Sequence, residues 1–310
     1  MTKEPIKLLP AFQDYLWGGT RLKTEYNKKT DLEKVAESWE LSNHKAGESI
    51  VASGEEAGLT FGEYIKKYDV IGKRAKEFDF FPILIKFIDA KDSLSVQVHP
   101  DDEYSLKNNG EYGKTEMWYV MDCDEGATLY YGFNRTITKE EFRKRIKNNT
   151  LLEVLNEVPV KKGDVFFIKS GTVHAIGKGI LICEIQQNSN TTYRVYDYDR
   201  RDSEGNTRPL HIEQAIEVSE LTPAVRTEAL KDNLLAKCKY FTVEKYMVNG
   251  EITLNTTEET FKSVIVLEGC GAMEYENGKL CFERGDSLFI PAQNGEFKIT
   301  GDCEIIVSYV

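Results

Sequence analysis

His99 ends the stretch Leu94-Ser95-Val96-Gln97-Val98-His99-Pro100, and His174 ends a second one, Gly163-Asp164-Val165-Phe166-Phe167-Ile168-Lys169-Ser170-Gly171-Thr172-Val173-His174. Successive side chains of a strand point to opposite faces. Leu94, Val96 and Val98 therefore form an apolar face, and Ser95, Gln97 and His99 a polar one. The chain has four histidines, so two of them at strand ends are worth weighing as ligands. Imidazole combined with oxygen donors suits zinc and other first-row divalent ions. On that chemistry His99, Glu116 and His174 rank first, with Gln97, an uncommon zinc ligand, as support beside them. The competing interpretation makes the histidines hydrogen-bonded strand ends and Glu116 a surface residue next to Lys114.

These residues need a strand-rich frame to bring them together, and the sequence supplies one. PILIKFIDA, SLSVQVHP, EMWYVMD, ATLYYGF, DVFFIKSG, ILICEIQQ, TYRVYDYD, FKSVIVLEG, GKLCFERGDSLFIPA and CEIIVSYV all read as short strands bounded by turn residues. Such density predicts a sandwich or barrel. Helical patterns are few: 59–78, 138–156 and 211–220. Thr138 followed by Glu141 reads as a capping box for the second of these. The basic run Arg143, Lys144, Arg145 and Lys147 on it reads as a solvated face. Lys162-Gly163-Asp164-Val165-Phe166-Phe167-Ile168-Lys169 is echoed by Arg284-Gly285-Asp286-Ser287-Leu288-Phe289-Ile290-Pro291. The register carried forward sets Glu296 opposite His174, so the second copy is expected to be metal-free and structural. A loss of strand pattern around 226–237 sets the boundary between the two modules, 1–232 and 233–310.

A chain of 310 residues has room for two such modules. Hydrophobic content of 41% and charged content of 29% are ordinary for a folded globular protein, which excludes disordered and fibrous classes. No apolar run has the length of a signal peptide's core or of a membrane span, so a cytoplasmic protein is expected. The six cysteines (Cys123, Cys183, Cys238, Cys270, Cys281, Cys303) lack CxxC spacing, which argues against zinc ribbons and a disulfide framework. A formal net charge of −11 disfavours nucleic acid and anionic membranes as partners. A small anion would need a local cluster of cations to overcome that field.

DYLWGG, AESWELS, LSVQVHPDD, GKTEMWY, KSGTVHAI and EIQQNSNTTYRVYDYDR, in order across the first 200 residues, resemble the type I mannose-6-phosphate isomerases, and the whole chain resembles their short bacterial class. The resemblance implies an all-β protein of two cupin jelly-roll domains with small helical insertions, the first metal-binding and the second not. It places one zinc ion on Gln97, His99, Glu116 and His174, promoting Gln97 above its chemical rank. It also matches Arg194 to the family's substrate arginine, Lys86 and Lys114 to pocket lysines, and Ser95, Trp17, Glu37 and Glu184 to pocket residues. Asn190 stands where some longer members carry aspartate, so no proton-transfer role carries over to that position.

Some of these positions make sense without the family. Lys86 shares a strand face with Leu84 and Ile88, where an unpaired ammonium is costly. Its partner is either a carboxylate such as Asp89 or Asp92, or a substrate phosphate. Arg194 and Lys114 add charge, the arginine as a bidentate fork and the lysine as a compact point charge. Trp17 reads equally as packing or as a face for a sugar ring. His44 and His211 read as rim or surface, and as helix packing or capping.

The implied activity interconverts mannose 6-phosphate and fructose 6-phosphate through an enediol-like intermediate, with Arg194 stabilising charge and Glu184 the leading candidate base. The expected partner is a small sugar phosphate, with neither nucleic acid nor membrane, for a monomer or homodimer. Rival interpretations are a cupin sugar isomerase with another substrate, an iron oxygenase on the same fold, and a double cupin that binds a sugar phosphate without turning it over.

Overall fold

The computed structural model describes residues 4–201, 204–226 and 232–310. They form two compact units, one drawn from 4–15, 20–87 and 232–310, the other from 16–19, 88–201 and 204–226. Both are built of strands, as the density of short turn-bounded runs predicts. Among the described residues no helix is long and apolar enough to cross a membrane.

In the unit containing residues 88–228, one sheet orders the strands Leu155–Pro159, Thr128–Phe133, His174–Ala175, Val96–Val98 and Tyr193–Tyr196. A second layer sets Val165–Ile168 and Ile180–Gln187 on either side of Glu116–Cys123, all antiparallel. Every residue of Ile180–Gln187 is buried, Glu184 and Gln186 included. A strand covered on both faces reads as a continuous apolar run, so polar residues inside it mark a face with polar work to do. The apolar face of Val96–Val98 packs as expected: Val96 and Val98 join Phe133, Phe142, Val173 and Val195 in one core cluster.

The other unit is centred on a sheet ordered Leu234–Lys237, Thr242–Thr256, Gly295–Tyr309, Lys262–Tyr275, Ser287–Ile290, Ile6–Leu9 and Ile50–Val51, with Gly278–Glu283 paired to Lys262–Tyr275. Here the fold holds a strand that the sequence pattern does not announce. Thr242–Thr256 contains Asn249-Gly250, normally a hairpin signal. Instead the ladder to Gly295–Tyr309 runs straight through it, with Gly250 (φ 100°) opposite Gly301 (φ 136°). Two glycines take up a backbone geometry there that side chains would resist.

The repeat is real down to its hydrogen bonds. Gly163 N–H donates to Val120 O and Val120 N–H to Asp164 O, at 2.8 and 2.9 Å; Gly285 and Val266 do the same with Val266 O and Asp286 O, at 2.9 and 3.0 Å. In each copy the aspartate also accepts a backbone N–H three residues earlier, that of Lys161 or Glu283. Glu296, the register counterpart of His174, is exposed.

Helices are shorter than their patterns. The 59–78 pattern divides into Phe61–Lys67 and Gly72–Ala75. Gly72 adopts φ +81°, and a Cβ there would lie 2.7 Å from the Glu259 and Thr260 backbone. The 138–156 pattern yields Lys139–Lys147, a 3₁₀ turn at Leu151–Val154 and then a strand, with Asn149 at φ 55° between them. Thr138 caps Glu141 N–H, but the Glu141 carboxylate turns to Arg135 and Arg145, leaving half of the expected box. A complete box forms at Thr60 and Glu63.

Candidate metal centre

Strand register builds the site. Tyr131 pairs with His174, His174 with Gln97 and Gln97 with Arg194, forming one cross-strand row. Direct cross-strand partners share a face. In the opposing layer Glu116 pairs with Gln186, and Trp118 with Glu184. His99 lies just past its strand, where its carbonyl accepts Gly171 N–H at 2.8 Å.

The ligating atoms of His99, Glu116 and His174 all lie within 4.8 Å of one another, and all three residues are buried. Glu116 Oε1 is 3.3 Å from His174 Nε2, and Glu116 Oε2 is 3.8 Å from His99 Nε2. Each imidazole turns Nδ1 to a backbone carbonyl, His99 to Thr191 O at 2.9 Å and His174 to Thr172 O at 2.8 Å. A carbonyl only accepts, so Nδ1 carries the proton and Nε2 presents its lone pair inward. That is the tautomer a metal-ligating histidine needs, fixed by the hydrogen bond at its other nitrogen. Burial pushes the His174 pKa down to about 4, so the ring is neutral at pH 7. Its Nε2 has no hydrogen-bond partner among the described residues, and it faces a carboxylate oxygen. Two acceptors facing each other in a dry interior call for a cation between them. The donor set therefore fits a first-row divalent ion, with Gln97 placed next to His174 by register.

Lys114 reaches into the same cluster. Its ammonium contacts Glu116 Oε2, lies 3.3 Å from His99 Nε2 and 3.6 Å from Glu184 Oε1. Glu184 also accepts Trp118 Nε1–H at 2.9 Å, and the Trp118 ring stands edge-on to His174 with centroids 5.3 Å apart. Six of the residues singled out in the sequence thus converge: Gln97, His99, Lys114, Glu116, His174 and Glu184. Ser95 and Arg194 form a second group, with Arg194 Nε donating to Ser95 Oγ at 3.2 Å. Burial and the like charge of Arg208 hold Arg194 below the usual arginine pKa.

Lys86 and Glu37 belong to the other unit. Lys86 Nζ lies 3.2 Å from Glu37 Oε2 and 4.8 Å above the Trp39 ring, whose Nε1–H donates to the same carboxylate at 2.7 Å. Trp17 is buried, and its carbonyl accepts Asp92 N–H. His44 Nδ1 accepts Ala46 N–H. His211 stands at the N-cap of Ile212–Val218 without capping it through its side chain; its Nδ1 accepts Arg194 N–H at 3.1 Å instead.

A family model for the type I phosphomannose isomerase catalytic domain matches residues 6–126, and one for the mannose-6-phosphate isomerase cupin domain matches 231–310. A mannose-6-phosphate isomerase of Bacillus subtilis is 42% identical over 319 aligned residues, covering all of both chains. The chain belongs to the type I mannose-6-phosphate isomerase family. A Streptococcus mutans mannose-6-phosphate isomerase is 40% identical over 99% of this chain and 98% of its own. Among solved structures, the Bacillus subtilis mannose 6-phosphate isomerase superposes with a TM-score of 0.91 at 37% identity, covering 99% of this chain and 100% of that one. A Salmonella typhimurium mannose 6-phosphate isomerase gives 0.80 at 16% identity, a likeness of fold alone. The two cupin jelly-rolls expected of a type I mannose-6-phosphate isomerase are the fold observed.

Trp118, Trp39, Asp197, Arg200 and Arg208 were not singled out in the sequence, though each contacts a residue that was or lies beside one. For Trp118 a signal was present. It sits two residues from Glu116 on a strand, hence on the same face. Asp197 and its arginines follow Arg194 directly in YRVYDYDRRDSEGNTRPL.

Proposed function

We propose that this protein is a zinc-dependent isomerase interconverting mannose 6-phosphate and fructose 6-phosphate. The observation that carries the proposal is the convergence of His99, Glu116 and His174, with inward-facing Nε2 atoms, in a chain of this family. Gln97, His99, Glu116 and His174 would hold one zinc ion per chain, supplying a Lewis acid to polarise a substrate oxygen.

The rest of the chemistry falls to side chains. Glu184 is the proposed base: its carboxylate is oriented by Trp118 N–H and stands beside the Lys114 ammonium, so it is held in place as an acceptor. It removes the proton at C2 of the open-chain aldose. The C–H electron pair becomes the C1–C2 double bond of an enediol, and O1 takes up a proton. Return of a proton to C1, with loss of the O2 proton, gives the ketose with no co-reactant. Lys114 and Arg194 offset the negative charge that develops on the sugar oxygens. We also assign substrate contacts to Ser95 and Trp17, and to Lys86 and Glu37. The chemistry is assigned to residues 1–232, with 233–310 a metal-free cupin, in a cytoplasmic monomer or homodimer.

The test is turnover of mannose 6-phosphate by the purified protein, before and after chelation and after zinc is restored. Activity lost on chelation and regained with zinc is expected. A protein holding one zinc ion per chain with no turnover would remove the substrate assignment.

A further inference from the structure

Arg194 sits on an outer strand at an irregularity. Tyr193–Tyr196 is the last strand of its sheet, bonded on one side to Val96–Val98. The register between the two slips from Arg194 opposite Gln97 to Tyr196 opposite Val96, leaving one extra residue on the outer strand. A bulge of this kind bends a strand and re-aims the side chain beside it, and a sheet edge leaves backbone N–H and C=O groups without a neighbouring strand. The backbone that aims Arg194 therefore has to be fixed from outside the ladder.

His211 fixes it. His211 N–H donates to Arg194 O at 2.8 Å, and Arg194 N–H donates to His211 Nδ1 at 3.1 Å. Two residues that exchange both bonds form the closed unit of an antiparallel ladder, and here an imidazole nitrogen stands in for one of the carbonyls. The same segment also reaches the head of the side chain: Pro209 O accepts from Arg194 Nη1 at 3.1 Å. The Tyr193 ring, centroid 6.0 Å from that of His211, packs against the imidazole.

The ring is spent on this contact at the expense of another. His211 holds the N-cap position of Ile212–Val218, where Ser, Thr, Asp or Asn ordinarily caps the first turn, yet its side chain makes no capping bond. A missing cap costs about 1 kcal/mol. Accepting the Arg194 N–H requires Nδ1 to be unprotonated, so the neutral ring carries its proton on Nε2, the reverse of His99 and His174. Burial and the Arg194 charge hold the His211 pKa below the ordinary histidine value, which keeps the acceptor form at neutral pH. We infer that His211 is a positioning residue for the reaction: its two-bond bracket sets the backbone of Arg194 and thereby aims the guanidinium at the charge that develops on the sugar oxygens. The inference rests on the proposed isomerase activity and extends it to a residue that touches neither substrate nor metal.

Two readouts separate its failure from that of the isomerase. In steady-state kinetics of the zinc-loaded full chain, His211→Leu, which keeps an apolar body against Tyr193 and removes the acceptor, should lower kcat for mannose 6-phosphate roughly 10- to 100-fold, the scale of a displaced catalytic group. KM and zinc content should stay nearly constant, because Arg194 acts on charge that appears only in the transition state. The second readout needs no variant and no turnover: nitrogen-15 spectra of the four histidine rings of the wild type at pH 8, with His211 identified by its contact with Tyr193. His99 and His174 should carry their proton on Nδ1; His211 should carry it on Nε2, as should His44, whose Nδ1 accepts Ala46 N–H. An unchanged kcat in a folded, zinc-loaded His211→Leu protein overturns the inference, and so does a loss expressed in KM alone. A His211 ring protonated on Nδ1, or on both nitrogens, overturns it whatever the turnover. An Nε2-protonated His211 in a wild type that does not turn over mannose 6-phosphate keeps the bracket on Arg194 and removes the isomerase.

Discussion

Lys114 Nζ stands 3.6 Å from Glu184 Oε1 while the same ammonium touches Glu116, so one buried cation is shared between a proposed metal ligand and the proposed base. All three side chains are at most 4% exposed. Charges this dry interact strongly and rearrange little. Lys114→Met should keep the ligand set but remove the charge facing the sugar oxygens. The expected result is a fall in kcat of roughly 100- to 1,000-fold, the scale for losing one preorganised donor. Metal analysis should still find one zinc ion per chain; zinc lost from the variant would recast Lys114 as support for Glu116.

Trp118 reports on Glu184 more selectively. Its Nε1–H fixes the carboxylate at 2.9 Å, and its ring packs edge-on against His174. Trp118→Phe retains most of the ring and deletes the donor. A mispositioned base lowers turnover without weakening binding, so kcat should drop about 10-fold or more at nearly constant KM. An unchanged kcat would argue that Glu184 is not the base.

Stripping the metal should destabilise the fold as well as silence it. A ligand that binds only the native state stabilises by about 4 kcal/mol at a thousandfold excess over its Kd. Chelation should therefore lower the wild-type melting temperature by several degrees, and zinc should restore it. His174→Ala should melt at the chelated value with or without zinc, because it removes an imidazole pinned by Thr172 O. A His174→Ala protein that zinc still stabilises as it does wild type would exclude this residue as a ligand.

Asp197 gives a pH dependence with a definite sign. Burial raises its pKa, but the hydrogen bonds from Arg208 and Arg200 outweigh that and hold it below the ordinary carboxylate value. A carboxylate with a lowered folded pKa adds stability above its unfolded value, about 3.9, and loses it as pH falls through the folded one. Asp197→Asn should be less stable than wild type at pH 7, on the order of 2 kcal/mol for charge-assisted bonds at a partly buried site. The two should converge only as pH falls through the lowered folded pKa, below the ordinary carboxylate range. Denaturation midpoints across that range test this, and a gap that persists in acid would show the loss to be packing.

How far the sequence reveals this depends on whether a signal is local. Strand alternation places Ser95, Gln97 and His99 on one face, and histidine scarcity singles out His99 and His174, because both depend on nearest neighbours only. The Gly-Asp turn before Val165–Ile168 repeats before Ser287–Ile290 for the same reason. What escapes is pairing across distance. Glu37, the carboxylate beside Lys86, lies 49 positions away in sequence, whereas Asp89 and Asp92 were the near candidates. Lys114 meets Glu184 only because Glu116–Cys123 and Ile180–Gln187 are hydrogen-bonded neighbours. Local signals also mislead where tertiary context overrides them. Asn249-Gly250 reads as a turn inside a 15-residue strand, and Gly72 interrupts a helical pattern to admit the 259–260 backbone.

The buried pair Lys28–Glu40 carries no proposed chemistry, which makes it a clean test of what holds its unit together. Lys28 Nζ lies 2.6 Å from Glu40 Oε1 and 2.7 Å from Oε2, donates to Gly285 O at 2.6 Å and sits 5.1 Å over the Phe87 ring. Ser38 Oγ–H adds a 2.6 Å bond to the carboxylate, and Glu40 is fully buried. Removing one partner strands the other, at about 3–5 kcal/mol, whereas replacing both with apolar side chains of similar size is often neutral. Lys28→Met should be strongly destabilised, and Lys28→Met/Glu40→Leu should recover most of the loss. Burial already pushes the Glu40 pKa up, and loss of Lys28 removes the main opposing influence. With the folded pKa above the unfolded value, the penalty grows as pH rises between them and vanishes below the lower one. The Lys28→Met deficit should therefore be smaller at pH 5 than at pH 8, as read from urea midpoints. Equal deficits at both, or a double variant no better than the single, would mean that Lys28 acts through its contacts with Gly285 and Phe87 and not through the ion pair.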